Sequence, residues 1–347
     1  LLPFVSEIWH VYVLIFVLQS ASAAFTPTFQ ATIPDVLPEE ERYTRALSLS
    51  RLAYDLENLI SPALAAVLLT VVSYNALFAG TVIGFIASAL LVVSVILPSP
   101  RPAEPRGIYD RTTRGSRIYL ATPRLRGLLA LNFAAAAAGA MVLVNTVLLV
   151  RSGLGLGETD VAIALGFFGG GSMLAALLLP RILDRVPDRP VMISGAALMV
   201  AGLLVLAGWI RSVGLTVEGL LLAWFLVGFG YSAVLTPSGR LLRRSSHEED
   251  RPAVFAAQFA LSHACWLIAY PLSGWLMTAF GAVPALITLA ALAVLGVASA
   301  LILWPASDPV EIVHDHPELA PDHPHIRDGR HHRHAFVIDD QHQRWPR

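Results

Sequence analysis

The chain has 347 residues, of which 55% are apolar and only 14% charged, and its formal net charge is −1. A soluble chain of this size carries about 25% charged residues, because its surface must be solvated by water. The composition therefore excludes a soluble multidomain protein, and the absence of net positive charge excludes nucleic acid as a bulk electrostatic partner.

A helix that crosses a bilayer needs about 20 mostly apolar residues. Such runs predict nine spans, at 9–33, 50–72, 76–97, 127–150, 160–181, 190–210, 217–238, 253–276 and 283–304. Membrane-barrel strands would read as ~10-residue segments of alternating polarity, and no stretch alternates in that way. The connections vary from the three residues Ser73–Asn75 to the long, arginine-rich Pro98–Arg126. All 24 basic residues are arginine. Counting alternate loops as cytoplasmic puts 22 of them on that side and leaves only Arg151 and Arg211 outside. The C-terminus is then expected in the cytoplasm and Leu1 outside. The single cysteine, Cys265, has no intrachain disulfide partner.

The chain repeats itself. Thr26-Pro27 at the end of the first span is matched by Thr236-Pro237 at the end of the seventh, 210 residues later. Glu39-Glu40-Glu41-Arg42 faces Glu248-Glu249-Asp250-Arg251, and Ser61-Pro62 faces Tyr270-Pro271, both at an offset of 209. The first three spans thus correspond to the last three, while the central three (127–210) have no partner. On this reading three further spans, about 85–95 residues, are expected upstream of Leu1.

Six-plus-six spans in parallel halves around a basic central loop resemble the major facilitator superfamily. Two motifs carry the resemblance. Pro180-Arg-Ile-Leu-Asp184-Arg185-Val-Pro-Asp188-Arg189-Pro190 is similar to the G-x-L-x-D-R-x-G-R-R loop of its second half, with proline at both glycine positions and one residue inserted before Arg189. Ser61-Pro62-Ala-Leu-Ala-Ala is similar to the G-P-x-x-G-G element of its antiporters, and Tyr270-Pro271-Leu-Ser-Gly274 repeats it. The look of Phe25–Ala66 is nearest to bacterial drug- and siderophore-export members. The resemblance implies an all-α polytopic fold, with 1–98 the remainder of the N-terminal half, 99–126 a central cytoplasmic loop and 127–304 the C-terminal six-helix half. It further implies a monomer in the bacterial inner membrane, with Asp184, Arg185 and Arg189 at a cytoplasmic gate. Ser61, Pro62, Tyr270, Pro271 and Gly274 would let helices kink and approach closely.

Ionisable groups inside spans are costly and commonly functional. Arg51 and Asp55 are four residues apart, on one helix face, and able to pair; Glu57 points elsewhere. Asp55, Glu57 and His263, which falls near the depth of Asp55 by the repeat, are the candidates for carrying a coupling proton. Each has a plainer alternative, an inner-leaflet charge that pairs or snorkels, or a structural hydrogen bond. Gln19, Gln30, Asn132, Asn145 and Tyr231 lie in the spans that the resemblance makes cavity-lining, and are candidates for substrate contact or for interhelical bonding.

Residues 305–347 hold eight of the eleven histidines and show no apolar periodicity, which predicts disorder. His314, His316, His331, His332 and His334 could collect a borderline cation, although their spacing matches no structural zinc site. Phe336–Asp340 reads as a short docking strand. There is no phosphate-binding loop, so no nucleotide is expected, and no nucleophile–base set, so neither an enzyme nor a cofactor. The sequence as a whole reads as a secondary transporter that couples a proton to export of small amphipathic molecules. A nickel-like cation exporter using the tail, and a truncated fragment without transport activity, are the alternatives.

Overall fold

The structure, a computed structural model, describes residues 7–95, 107–309, 311–315 and 331–346. Its helices are α1 (Ile8–Val36), α2 (Glu40–Leu68), α3 (Tyr74–Ser94), α4 (Ile108–Ala121), α5 (Pro123–Val147), α6 (Glu158–Leu183) and α7 (Asp188–Ser212). They continue with α8 (Val217–Leu235), α9 (Ser238–Arg244), α10 (Arg251–Phe280) and α11 (Ala282–Leu303). Leu148–Gly153 prolongs α5 as a π-helical turn. The chain is an all-α polytopic membrane protein.

Eight helices among the described residues are long and apolar enough to cross a membrane, where the sequence predicts nine. The difference is the second predicted span, 50–72, which falls on α2. That helix has 29 residues, ample for a span, but Glu40, Glu41, Arg42, Arg45, Arg51, Asp55 and Glu57 make its first half polar. The boundaries of the other eight fall close to their predicted positions.

The repeat is a repeat of helices. Shifted by 209 positions, α1, α2 and α3 become 217–245, 249–277 and 283–303, against α8 plus α9 (Val217–Arg244), α10 (Arg251–Phe280) and α11 (Ala282–Leu303). One local difference marks the second copy. The chain breaks at Thr236-Pro237 between α8 and α9, whereas α1 runs through Pro27 unbroken. A proline inside a helix removes one backbone donor and tolerates either outcome.

The core lies among α5, α7, α8 and α11, where Leu128, Met199, Leu203, Trp224 and Leu289 are sealed from solvent. Packing is closest where α6 crosses α8. A Cβ on Gly228 would lie 1.9 Å from the Phe168 carbonyl oxygen, and one on Gly171 would lie 2.1 Å from that of Phe225. Only glycine permits this backbone-on-backbone approach, which lets dispersion act between helices that lipid would otherwise separate. The first unit, α1–α3, meets this core, which belongs to a second unit formed by α4–α11, through α2 against α6 and α1 against α10.

Two expectations are corrected outside the bundle. The central loop contains α4, an amphipathic helix that buries Gly115, Ile118 and Tyr119 on α10, with Tyr119 donating to Gln258 Oε1 at 2.5 Å. Nor is disorder the state of the described part of the tail. Glu311–Asp315 (β1) pairs antiparallel with His331–Ala335 (β2), and Phe336, Val337 and Ile338 are buried. The expected docking segment does dock, but the strand precedes it. Three apolar residues in a row supply the burial that a periodicity search does not detect.

Candidate functional site

Polar side chains join the two units at two levels. The deeper level is built on α2. The i,i+4 spacing of Arg51 and Asp55 places them on the face that packs on α6. Arg51 Nη2 lies 2.8 Å from Asp55 Oδ1, and Arg51 Nε donates to Asp55 Oδ2 at 3.2 Å. From α6, Ser172 donates to the same Oδ2 at 2.5 Å and accepts from Arg51 Nε at 3.1 Å. Asp55 is 5% exposed and Ser172 0%. The guanidinium carbon of Arg51 also sits 4.9 Å from the ring centroid of Tyr231 on α8 and 5.3 Å from that of Tyr54. Thus a bidentate ion pair, a hydroxyl and two aromatic faces form one cluster, with residues from α2, α6 and α8. Inside a membrane protein such a pair is held by mutual attraction and by the cost of leaving either charge alone.

An aromatic row leads away from it. Phe168 and Tyr231 are 5.6 Å apart between centroids, Tyr231 and Trp266 6.1 Å, and Trp266 and Tyr270 4.8 Å. Gly139 on α5 makes room for Trp266, since a Cβ there would lie 2.6 Å from the indole ring. The row gives flat, polarisable faces beside one charged cluster, a surface suited to molecules with both apolar and polar parts.

The shallower level lies at the arginine-rich end of the bundle. Asp188, the first residue of α7 and 2% exposed, pairs with Arg240 Nε at 2.8 Å and Arg244 Nη1 at 3.2 Å. Arg124 pairs with Asp308 at 3.0 Å. Arg240 also reaches back to Glu40 of the first unit at 2.5 Å and donates to Thr44 Oγ1 at 2.5 Å. Arg251 pairs with Asp35, and Arg243 donates to the Pro38 carbonyl. Three arginines of the second unit therefore grip acceptors of the first.

The tail covers part of this end. Arg114 of α4 bonds both Asp250 and Asp340, and Trp345 lies 5.1 Å under the Arg124 guanidinium. Asp339 accepts from His247 Nε2 at 3.3 Å and His342 Nδ1 at 2.9 Å. Its hydrogen bond to Asp339 raises the pKa of His247. Burial by itself raises Asp339, but the hydrogen bonds from His247 and His342 outweigh it and hold that carboxyl well below the usual range.

The residues singled out in the sequence take varied places. Of the proton candidates, Asp55 is in the deep cluster. Glu57 is exposed on another face of α2, and both described contacts of His263 are to Phe259 of its own helix, a 2.7 Å hydrogen bond and a 4.0 Å ring contact. In the gate motif, Asp184 and Arg185 are exposed and outside the ion pairs found among the described residues, while Arg189 donates to the Trp304 carbonyl at 2.9 Å. Of the cavity candidates, Tyr231 joins the aromatic row and Gln19 and Gln30 are exposed. Asn132 bonds Leu128 within α5. Asn145 donates to Ser273 Oγ at 2.8 Å and so ties α5 to α10 beside Pro271. Ser61 is exposed on α2, the Pro62 side chain lies outside the described residues, Tyr270 lies against Trp266, and a Cβ added at Gly274 would meet Val144 at ordinary contact distance. Of the tail histidines, His316 and the side chains of His314, His331 and His332 lie outside the described residues, and His334 stacks edge-on against His342. Among the described residues no group of three potential metal ligands converges.

Sequence reasoning missed Ser172, Asp188, Arg240 and Asp35. Asp188 was legible as the only other acid in the motif and as the acidic head of a helix; Ser172 had no local signal.

The sequence profile described as Major Facilitator Superfamily matches residues 1–187 and 128–332. The chain belongs to this superfamily. Its members are transporters, and the multi-pass helical bundle is the form expected of one. Two curated proteins called macrolide efflux protein A are similar over part of their length. The one from Enterococcus faecalis is 31% identical over 91 residues, which cover 26% of this chain and 28% of that protein. The one from Streptococcus pyogenes has the same identity over 91 residues, which cover 22% of its length. The chain thus matches about a quarter of the length of these superfamily relatives.

Proposed function

We propose that this protein exports small amphipathic molecules by alternating access, coupled to a proton taken up by Asp55. The observation that carries the reading is the Arg51–Asp55–Ser172 cluster, a buried charge pair that fastens α2 of one unit to α6 of the other. With Asp55 ionised, its carboxylate draws Arg51 and Ser172 together and the units hold. With Asp55 protonated, the charge pair is gone and Arg51 retains its hydrogen bond to Ser172 and the Tyr54 and Tyr231 faces, the latter worth about 0.5–2 kcal/mol. A proton thereby changes how firmly the two units are joined, which is what coupling requires. The aromatic row from Phe168 to Tyr270 supplies contact area for cargo. The efflux relatives support the outward direction, and arginine placement supports a plasma membrane with the arginine-rich end and C-terminus in the cytoplasm.

The test is transport of a fluorescent amphipathic cation by the full chain reconstituted in vesicles. Asp55→Asn should abolish accumulation driven by a pH gradient while leaving dye–dye exchange within a few-fold of normal. Gradient-driven accumulation that survives in Asp55→Asn removes Asp55 from coupling. Loss of exchange as well would show that the residue is needed for substrate movement itself.

A further inference from the structure

A groove with a volume of about 510 Å³ runs between α10 and α11, with α5 as its floor. Both walls pack on α5, and meet each other over a smaller contact. Its lining is apolar apart from Ser299 and one charged residue, Arg126, and it contains no acidic residue. The rim opens on the outer surface of the bundle, where Ile268 is 59% and Leu295 58% exposed. From Arg126 to Phe133 along α5 the groove extends about 10 Å, the rise of seven helical residues.

Arg126 stands at the arginine-rich end, in the first turn of α5. Its Nε is buried with no hydrogen-bond partner among the described residues. A buried donor left unpaired is costly, and more so when charged, so the site favours an anion. The positive end of α5 adds to that preference. Beside it, Leu120 in the last turn of α4 lines the groove, and α4 exposes Ile108 and Tyr109, as a helix lying at the headgroup level does.

We infer that this groove holds one acyl chain of an anionic phospholipid, with the lipid phosphate on Arg126. A lipid fits better than a soluble anion because an apolar channel at chain width leads directly from the cation. An anionic headgroup fits better than a zwitterionic one because the groove offers no carboxylate to a headgroup ammonium. The inference rests on the membrane placement of the chain, and is independent of proton coupling and export.

The experiment is native mass spectrometry of the full chain, delipidated in detergent and titrated with phosphatidylglycerol or with phosphatidylcholine of the same chains. One phosphatidylglycerol should bind about tenfold more tightly than phosphatidylcholine, because Arg126 meets a net negative headgroup in the first and a phosphate already offset by its own quaternary ammonium in the second. Arg126→Gln should equalise the two lipids, and Arg126→Lys should keep most of the preference. Ser299→Phe, which fills the groove, should weaken both. Cys265 lines the groove and is the chain's only cysteine, so its maleimide labelling gives a second readout. Phosphatidylglycerol should slow labelling in the wild type and leave Ser299→Phe unchanged. Equal affinity for the two lipids in the wild type, or protection of Cys265 by inorganic phosphate alone, would overturn the assignment.

Discussion

The first and second copies of the repeat place their helices at matching positions in the same order but live in different surroundings. At the offset of 209, Ile15 is 50% exposed where its counterpart Trp224 is 0% exposed. Leu18 and Val227 differ as 54% and 0%, and Leu91 and Ala300 as 68% and 0%. The second copy is enclosed by α5, α6 and α7, which lie between the copies in sequence. The first meets the bundle mainly through α2 on α6 and α1 on α10. A repeat in sequence is therefore a repeat of helices but not of packing; burial is supplied by neighbours, and only one copy has them here.

Charge removal should break this comparison most strongly. In the second unit, Asp188→Ala leaves Arg240 and Arg244 without their buried partner and should cost about 3–5 kcal/mol. A thermal melt in detergent would then fall by several degrees. In the first unit, Glu41→Ala removes the exposed pair with Arg45, and the same melt should move by less than about 0.5 kcal/mol. Equal losses would mean that the two units are equally buried in the working protein.

A glycine pair gives a change of sign. Gly228→Ala drives a methyl into the Phe168 carbonyl and should destabilise by about 1–3 kcal/mol. A methyl added at Gly84 in α3 would meet nothing within 4 Å among the described residues, so Gly84→Ala should stabilise by about 0.5–1 kcal/mol through helix propensity alone.

The smallest effect concerns the tail. The raised pKa of His247 means that its contribution to tail docking is complete below its unfolded value of about 6.5 and lost as pH rises through the folded value. Trypsin cleavage after Arg333 or Arg344 should therefore quicken a few-fold on the alkaline side of about pH 6.5. His247→Ala should flatten that dependence, and a rate that stays pH-dependent in the variant would assign the titration elsewhere.

The fold was legible because apolar runs of span length and a fixed offset are one-dimensional signals. The pairing of Arg51 with Asp55 was legible for the same reason, since it depends only on the helical turn. What joined that pair to α6 was not: Ser172 lies 117 residues from Asp55, in a glycine-rich helix where a serine is unremarked. The gate reading placed weight on Asp184 and Arg185 through a motif, while the structure buries Asp188, four residues on, because α7 begins there beneath Arg240 and Arg244. In the described part of the tail a missing period does not mean disorder, because Phe336–Ile338 bury themselves as a consecutive run.

The two fastenings of α2 have a mechanical consequence. Glu40 is held by Arg240 near one end of the helix, and Asp55 by Arg51 and Ser172 fifteen residues along it, about 22 Å away. A stiff rod clipped at two separated points can rotate only when one clip opens, and the other then serves as its pivot. Under the proposed coupling, opening the clip at Asp55 alone would swing α2 about Glu40 instead of detaching it, so that a change at one carboxylate would become an angular displacement of a whole helix.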